Sequence, residues 1–473
     1  MNIFRRSVFL FAALSSVVCS CGGRHVAEAV ADAGEPAFLE IFERPEGGWT
    51  AVYVSPFDGS RDSLIIDRPL SRLIVMSTSH YGFLDALDAT DRIVGISGPD
   101  YLFSGFVASE TSSGGSTASL RSAPPLATLR SSPVPPLTVP RVAWVSPSRL
   151  VSAALASDLA AGLASPDRGR PRHARGRGPD RRRGGENLFS QTLREMGGAS
   201  RSEESGLSEP AGRSRSAIAD VGYDAAPDYE KIVALRPDVV LTYAVSGAKS
   251  PFEVKLEQLG IKVFTVNEHL ERHPLARAAY IRLFGALTGQ MAAADSVLNA
   301  VKENYNTIAK DIANRHVPPR KVLLNIPYND QWFVPSTENY LSAMISDAGG
   351  IVLGSESGKS ASSVMSVEKA YSLSKEADCW LNVGWCHSRE DLLGVNSIFK
   401  NMLGNIERNA QELGYGSYPV VWNDNKRVNP KGGNDIWQSG VARPDLVLRD
   451  LATILHPDNQ GEADKTIYYR QIN

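Results

Sequence analysis

The chain has 473 residues, 42% hydrophobic and 22% charged, with a formal net charge of -2. That balance is globular, and the length allows two to four domains. A nearly neutral chain of this kind gives no reason to expect nucleic acid or an acidic membrane surface as a partner.

The N-terminus reads as a targeting segment. Arg5 and Arg6 precede an apolar run from Val8 to Val18, which is too short to span a bilayer. Cys19-Ser20-Cys21-Gly22-Gly23 follows. Residues 1–20 are therefore predicted to be a lipoprotein signal, with Cys21 acylated as the new N-terminus because the small Ser20 precedes it. The mature chain is expected outside the cytoplasm, periplasmic or on the cell surface, with the lipid as its membrane anchor. Residues 21–69 are predicted to be a tether and a β-hairpin extension, the strands flanking Pro45-Glu46-Gly47-Gly48.

Residues 70–268 read as a first α/β lobe. Leu73 to Met76 is a buried-type strand, Phe83 to Leu87 a helix, and Ile93 to Ile96 a second strand. The composition then changes. Residues 104–217 contain no Ile and no Tyr, and Arg168 to Arg183 holds eight arginines. Such a segment lacks the apolar surface to offset its ordering entropy, so a disordered insert is expected. Its abruptness points to an insertion or a misread frame, which peptide mapping of the native protein separates. Regular pattern resumes with a helix at Tyr229 to Leu235, a strand opening at Pro237-Asp238, a helix at Pro251 to Leu259 and a strand up to Val266.

Residues 269–316 are predicted to be linking helices, Leu275 to Leu287 and Met291 to Ala313, split at Thr288-Gly289. Residues 317–460 read as a second α/β lobe and residues 461–473 as a tail. In the second lobe the strands are expected at Lys321 to Ile326, Asp378 to Trp385 and Pro419 to Trp422. Helices are expected at Tyr340 to Ala348, Val367 to Ser374, Ser397 to Ile406 and Pro444 to Leu455. Cys379 and Cys386 fall in or beside one strand. Seven extended residues span roughly 23 Å, too far for a disulfide, so two buried thiols are expected.

A unit repeats between the lobes. Tyr229-Glu230-Lys231 starts a helix ending at Leu235, before Pro237-Asp238 opens a strand. Val367-Glu368-Lys369 starts one ending at Leu373, before Ala377-Asp378 does the same. Two related lobes with parallel sheets, joined by a long helix, would leave a cleft between them, and such clefts are where small molecules bind.

These stretches resemble a known family. Arg72-Leu-Ile-Val-Met with His80, Asp220-Val-Gly-Tyr, Tyr229 through Leu241, Leu259-Gly-Ile-Lys-Val, Leu341 to Gly350 and Ser439 to Pro457 follow, in order, the pattern of periplasmic binding proteins for iron-siderophore complexes, haem and cobalamin, of the helical-backbone type. The resemblance implies two Rossmann-like lobes and capture of a metal chelate, delivered to an ABC permease. It also implies that Glu230 and Glu368, one on each lobe, dock onto the permease. An iron complex is the favoured cargo, a corrinoid the alternative; any metal would arrive with the ligand, and no resident cofactor or partner nucleic acid is expected. A monomer is expected.

Ligand contacts should lie on loops after strands facing the cleft. The candidates are His80, Tyr81, Tyr101, Tyr223 and Tyr243 in the first lobe, and Trp332, Trp385, Trp422 and Trp437 in the second. Aromatic faces suit a flat macrocycle or a catecholate, and Tyr or His can ligate haem iron. Arg443 is a candidate for an anionic chelate. No nucleophile elbow, zinc-protease helix or Walker loop is present, so an enzyme is not expected. A haem chelatase would need an acid or base, and His80 is the one candidate. An adhesin would have to use the basic insert. His269 and His273 are the one close histidine pair, and Pro274 makes their segment a poor helical metal site.

Overall fold

The computed structural model describes residues 34–103, 218–416, 418–457 and 465–473. The expected signal, Cys21 and the 104–217 insert lie outside the described residues. Three antiparallel strands come first: β1 (Leu39–Glu43), β2 (Trp49–Val54) and β3 (Arg61–Ile66). The predicted hairpin is thus a three-stranded sheet. Its third strand begins Arg61-Asp62-Ser63, too polar to announce itself as a strand. The sheet is fixed to the body by Glu271, whose carboxylate accepts the N–H groups of Ala37 and Phe38 and the hydroxyl of Tyr280.

The first lobe is built on β4 (Leu73–Val75), α1 (Thr78–Ala86), β5 (Ile93–Ile96) and, after the insert, β6 (Ala219–Asp220). A short hairpin of β7 (Gly222–Tyr223) and β8 (Ala226–Pro227) leads into α2 (Tyr229–Leu235). Then come β9 (Val239–Thr242), α3 (Pro251–Gln258) and β10 (Val263–Thr265). The sheet order is β10-β9-β4-β5-β6, every pair parallel. Both faces of a parallel sheet are covered, so its strands read as unbroken apolar runs. β4 and β9 are buried at every position.

Three helices carry the chain across: α4 (Pro274–Ala278), α5 (Ile281–Thr288) and α6 (Met291–Asn314). The first expected helix is thus two, and it ends where Gly289 takes a left-handed φ of 75°. At 24 residues α6 is about 36 Å long. Ala294, Leu298, Val301, Tyr305 and Ile312 bury one stripe of it.

The second lobe comprises β11 (Arg320–Leu324), β12 (Trp332–Val334), α7 (Tyr340–Asp347), β13 (Gly350–Val352), β14 (Ser363–Met365) and α8 (Val367–Ser374). It continues through β15 (Cys379–Leu381), α9 (Arg389–Val395), α10 (Phe399–Glu412) and β16 (Val421–Asn423). It closes with α11 (Ser439–Ala442), α12 (Pro444–Leu455) and β17 (Arg470–Gln471). The sheet order is β13-β11-β15-β16-β17, parallel except for β17. The tail predicted at 461–473 is therefore in part an edge strand of this lobe. β15 ends at Leu381 and not at Trp385, because Asn382 and Gly384 take φ values of 58° and 62°. Cys379 and Cys386 are nonetheless free and buried, with thiols pushed up to about 12 by burial.

With the edge strands β6 and β17 set aside, the two sheets share an order: β5-β4-β9-β10 and β13-β11-β15-β16 both run second-first-third-fourth, and α2 and α8 each lead into the third of these strands.

The chain between β16 and α12 returns to the first lobe. Asn429 donates to the carbonyls of Asp100 and Leu102, and the Gln438 side chain bonds both N–H and C=O of Phe103. Two glycines allow the approach. A Cβ on Gly82 would lie 2.0 Å from the carbonyl of Gln438, and one on Gly433 would lie 1.9 Å from that of Tyr101. The lobes are thus bound to each other by more than α6.

Candidate functional site

The strand ends of the second lobe's sheet face the linking helix α4. In the second lobe, Asn382 follows β15, Asp424 follows β16 and Tyr469 precedes β17. Together with Tyr340, Trp437 and, from the α4 side, Arg277, they line a cavity of about 30 Å³, closed by apolar side chains of α7, α11 and α12. Its polar groups are under-satisfied. The Asn382 Oδ1 and Arg277 Nε have no hydrogen-bond partner. Burial pushes the Asp424 carboxyl up to about 6. Buried polar atoms normally find partners, so a group of them left open at one place is ready for something else to fill it.

A second polar cluster backs onto Arg277 from the first lobe. Glu268, in a 3-10 turn after β10, accepts from Ser79 Oγ at 2.6 Å through Oε1. Arg277 stands 3.9 Å from the same oxygen. The other oxygen faces His80 Nε2 at 3.8 Å and His269 Nδ1 at 4.0 Å, with no hydrogen bond to either. His80 is fully buried and both its ring nitrogens lack a partner. Burial lowers its pKa to about 4, against the pull of Glu268. Against its own burial, His269 first and then His80 and Arg277 hold the Glu268 pKa down, to about 2. Among the described residues no group of three side chains stands ready to hold a metal ion.

Of the residues expected to touch ligand, Trp437 alone lines the cavity. Trp332 and Trp422 are fully buried core, their indole N–H groups spent on the carbonyls of Leu324 and Pro419. Trp332 packs with Trp380 and Phe399. Neither offers a ring face to a ligand. Trp385 and Tyr81 are half-buried against the core. Tyr101 and Tyr223 hydrogen-bond each other beside Gly98. Tyr243 meets the ring of His269 edge-on at 6.1 Å, and burial raises its pKa. Arg443 is not available to an anion. Its Nε and Nη2 are bound to the two oxygens of Asp445 at 2.9 and 2.8 Å. His273 does not pair with His269; it caps α4 by accepting the Leu275 N–H and stands 3.5 Å from Asp347. Glu230 and Glu368 are both exposed in the first turns of their helices.

Sequence reasoning missed Arg277, Glu268, Asn382 and Asp424. For Asn382 and Asp424 a signal existed, since each is a polar residue ending an apolar strand run. For Arg277 and Glu268 none did, because their importance comes from what the fold brings to them.

Residues 199–400 match the family model described as periplasmic binding protein. An uncharacterized lipoprotein of Methanocaldococcus jannaschii is 29% identical over 263 residues, which is 54% of this chain. The chain spans 56% of that relative's length. Among solved structures, a periplasmic binding protein from Veillonella parvula aligns at 11% identity and a TM-score of 0.46, covering 86% of this chain and 98% of that one. A periplasmic haem binding protein from Pseudomonas aeruginosa aligns at 12% and 0.43, covering 85% and 98%. A periplasmic vitamin B12 binding protein of Vibrio cholerae aligns at 11% and 0.43, covering 82% and 97%. These structural likenesses are too distant for their ligands to be carried over.

Proposed function

We propose that this chain, whose residues 199–400 match the periplasmic binding protein family model, is the solute-binding protein of an ABC importer, capturing an iron complex between its lobes. The observation that supports it most is the cavity between α4 and the second lobe's strand ends, where Arg277, backed by Glu268 of the first lobe, meets Asn382 and Asp424 with unsatisfied or perturbed polar groups. That is where open α/β sheets bind ligands. A siderophore complex or haem is the leading cargo and cobalamin the alternative.

The sequence pattern at Cys21 and the lipoprotein among the relatives support a lipid anchor. Among the described residues no helix is long and apolar enough to cross a membrane. A chelatase on this fold would need an accessible acid or base. His80, its one candidate, is sealed from solvent.

The test is a thermal-shift and absorbance titration of the mature protein, without its lipid, against haemin, ferric siderophores and cobalamin. A ligand at a hundredfold excess over its Kd should add about 2.7 kcal/mol of stability and be recovered unchanged. Failure of all three to bind would sink the chelate reading. Recovery of a demetallated ligand would replace it with an enzyme.

A further inference from the structure

Resting on the reading of the cleft as a ligand site, we propose that Arg277 recognises a carboxylate on the cargo, so that the protein selects anionic chelates over neutral ones. Arg277 is 7% exposed, yet its buried Nε has no hydrogen-bond partner among the described residues. Its nearest carboxylate oxygen is Glu268 Oε1 at 3.9 Å, already occupied by Ser79. A buried arginine in a structural role is normally tied off by a short, often bidentate pair. Arg443 shows that arrangement in this same molecule, with both contacts to Asp445 under 3 Å. The Arg277 guanidinium carbon instead stands over the ring of Tyr340, 4.1 Å from its centroid, and the residue lines the cavity between α4 and the second lobe.

Each feature has a consequence for recognition. Glu268 belongs to the first lobe and Tyr340 to α7 of the second, so Arg277, on the linking helix α4, stands between the two lobes. A cation–π contact with Tyr340 uses none of the guanidinium's five N–H donors. Glu268 behind it keeps the charge balanced from the first-lobe side, leaving the cavity side to the ligand. A planar carboxylate is the group that satisfies such a fork through two parallel hydrogen bonds. Across the cavity, the unpaired Asn382 Oδ1 accepts a donor, and the Asp424 carboxyl, buried and pushed up to about 6, can share a proton with an acidic ligand.

The test compares matched ligands on wild type, Arg277→Gln and Arg277→Lys. The probes are haemin against its dimethyl ester, and ferric citrate against an uncharged ferric hydroxamate, with Kd read by absorbance or tryptophan quenching. Wild type should bind the carboxylate member of a pair at least tenfold more tightly than the neutral one, as expected for a hydrogen-bonded charge pair. Arg277→Gln should erase that ratio by weakening the carboxylate member of each pair more than the neutral one, and Arg277→Lys should restore only part of it. Equal binding of esterified and free ligand by wild type overturns the proposal even if the variants fail to fold, as does binding of cobalamin alone. In either case the cleft reading survives, because a ligand still binds. If no probe binds wild type, the cleft reading falls and the role of Arg277 with it.

Discussion

His80 shows how far a single buried group can set the behaviour of this protein. Its ordinary pKa of 6.5 is lowered to about 4 by burial, with Glu268 pulling the other way and His269 adding a smaller depression. The folded protein therefore refuses a proton that the unfolded chain accepts. The stability this gives is fully present above about pH 6.5 and is lost as pH falls towards 4. Glu268, lowered from 4.5 to about 2, acts in the same sense over a lower window. Asp424, raised from 3.8 to about 6, acts oppositely, contributing below 3.8 and losing that contribution as pH rises through 6. Wild-type stability is a sum of opposed slopes, so the variant isolates the histidine. Between pH 7 and pH 5, His80→Gln should lose less stability than wild type, by on the order of 1–2 kcal/mol in chemical denaturation. Identical losses would show that His80 is charged or solvated in the fold. The two arginines make a parallel point about legibility. Arg443, beside a helix start, is the one the sequence recommends for an anion. Its partner Asp445 is only two residues away, but whether the pair closes depends on the backbone at Pro444, which residue order does not display.

At the scale of elements, the repeat of α2 and α8 carries the docking hypothesis. Each helix leads into the strand beside the first strand of its lobe, and each places a glutamate, Glu230 or Glu368, exposed in its first turn. Hydrogen bonding by Ser366 holds the Glu368 carboxyl below the usual range. Charges so placed suit the helix dipole, and equally suit arginines on a permease. The double variant Glu230→Ala, Glu368→Ala separates these roles. Ligand Kd should stay within about twofold and stability within about 1 kcal/mol, since both sites are exposed. Uptake of the ligand by cells carrying the matching importer should fall about tenfold or more. Unchanged uptake would reduce both glutamates to good first-turn residues. These helices were legible from sequence because local signals coincide: Asp228 and Ser366 cap them, and apolar strands follow. The strand at Asp378 was overextended because its apolar residues continue through Val383 and Trp385 while the backbone turns at Asn382. β17 was invisible, since Arg470 and Gln471 become a strand only by pairing with Asn423 and Trp422.

Seen as a whole molecule, the lobes are closed on one another. From the linking segment Arg272 reaches Glu338 at 2.8 Å, His273 faces Asp347 at 3.5 Å and Arg277 covers Tyr340, while the segment after β16 clasps Asp100 to Phe103 of the first lobe. The cavity left between α4 and the second lobe is about 30 Å³. Ligand pockets for molecules of chelate size run to several hundred Å³. A chelate can therefore enter only if the walls formed by α4 and α7 separate, which breaks the exposed Arg272–Glu338 pair and the largely buried contacts of His273 and Arg277. The Arg272–Glu338 pair is a surface ion pair worth at most about 1 kcal/mol, no obstacle to opening. A covalent tie at that point should be an obstacle. In protein lacking Cys19 and Cys21, Arg272→Cys and Glu338→Cys can be bridged with a short cleavable bismaleimide. Cys379 and Cys386 will not interfere, because both are buried with thiols near 12. The untreated double variant should bind the ligand found by titration as wild type does. The bridged form should bind it at least tenfold more slowly or weakly, and cleavage of the bridge should restore binding. Wild-type kinetics in the bridged protein would mean that the ligand reaches its site without parting α4 from α7, and the site itself would then have to lie elsewhere on the lobe contact.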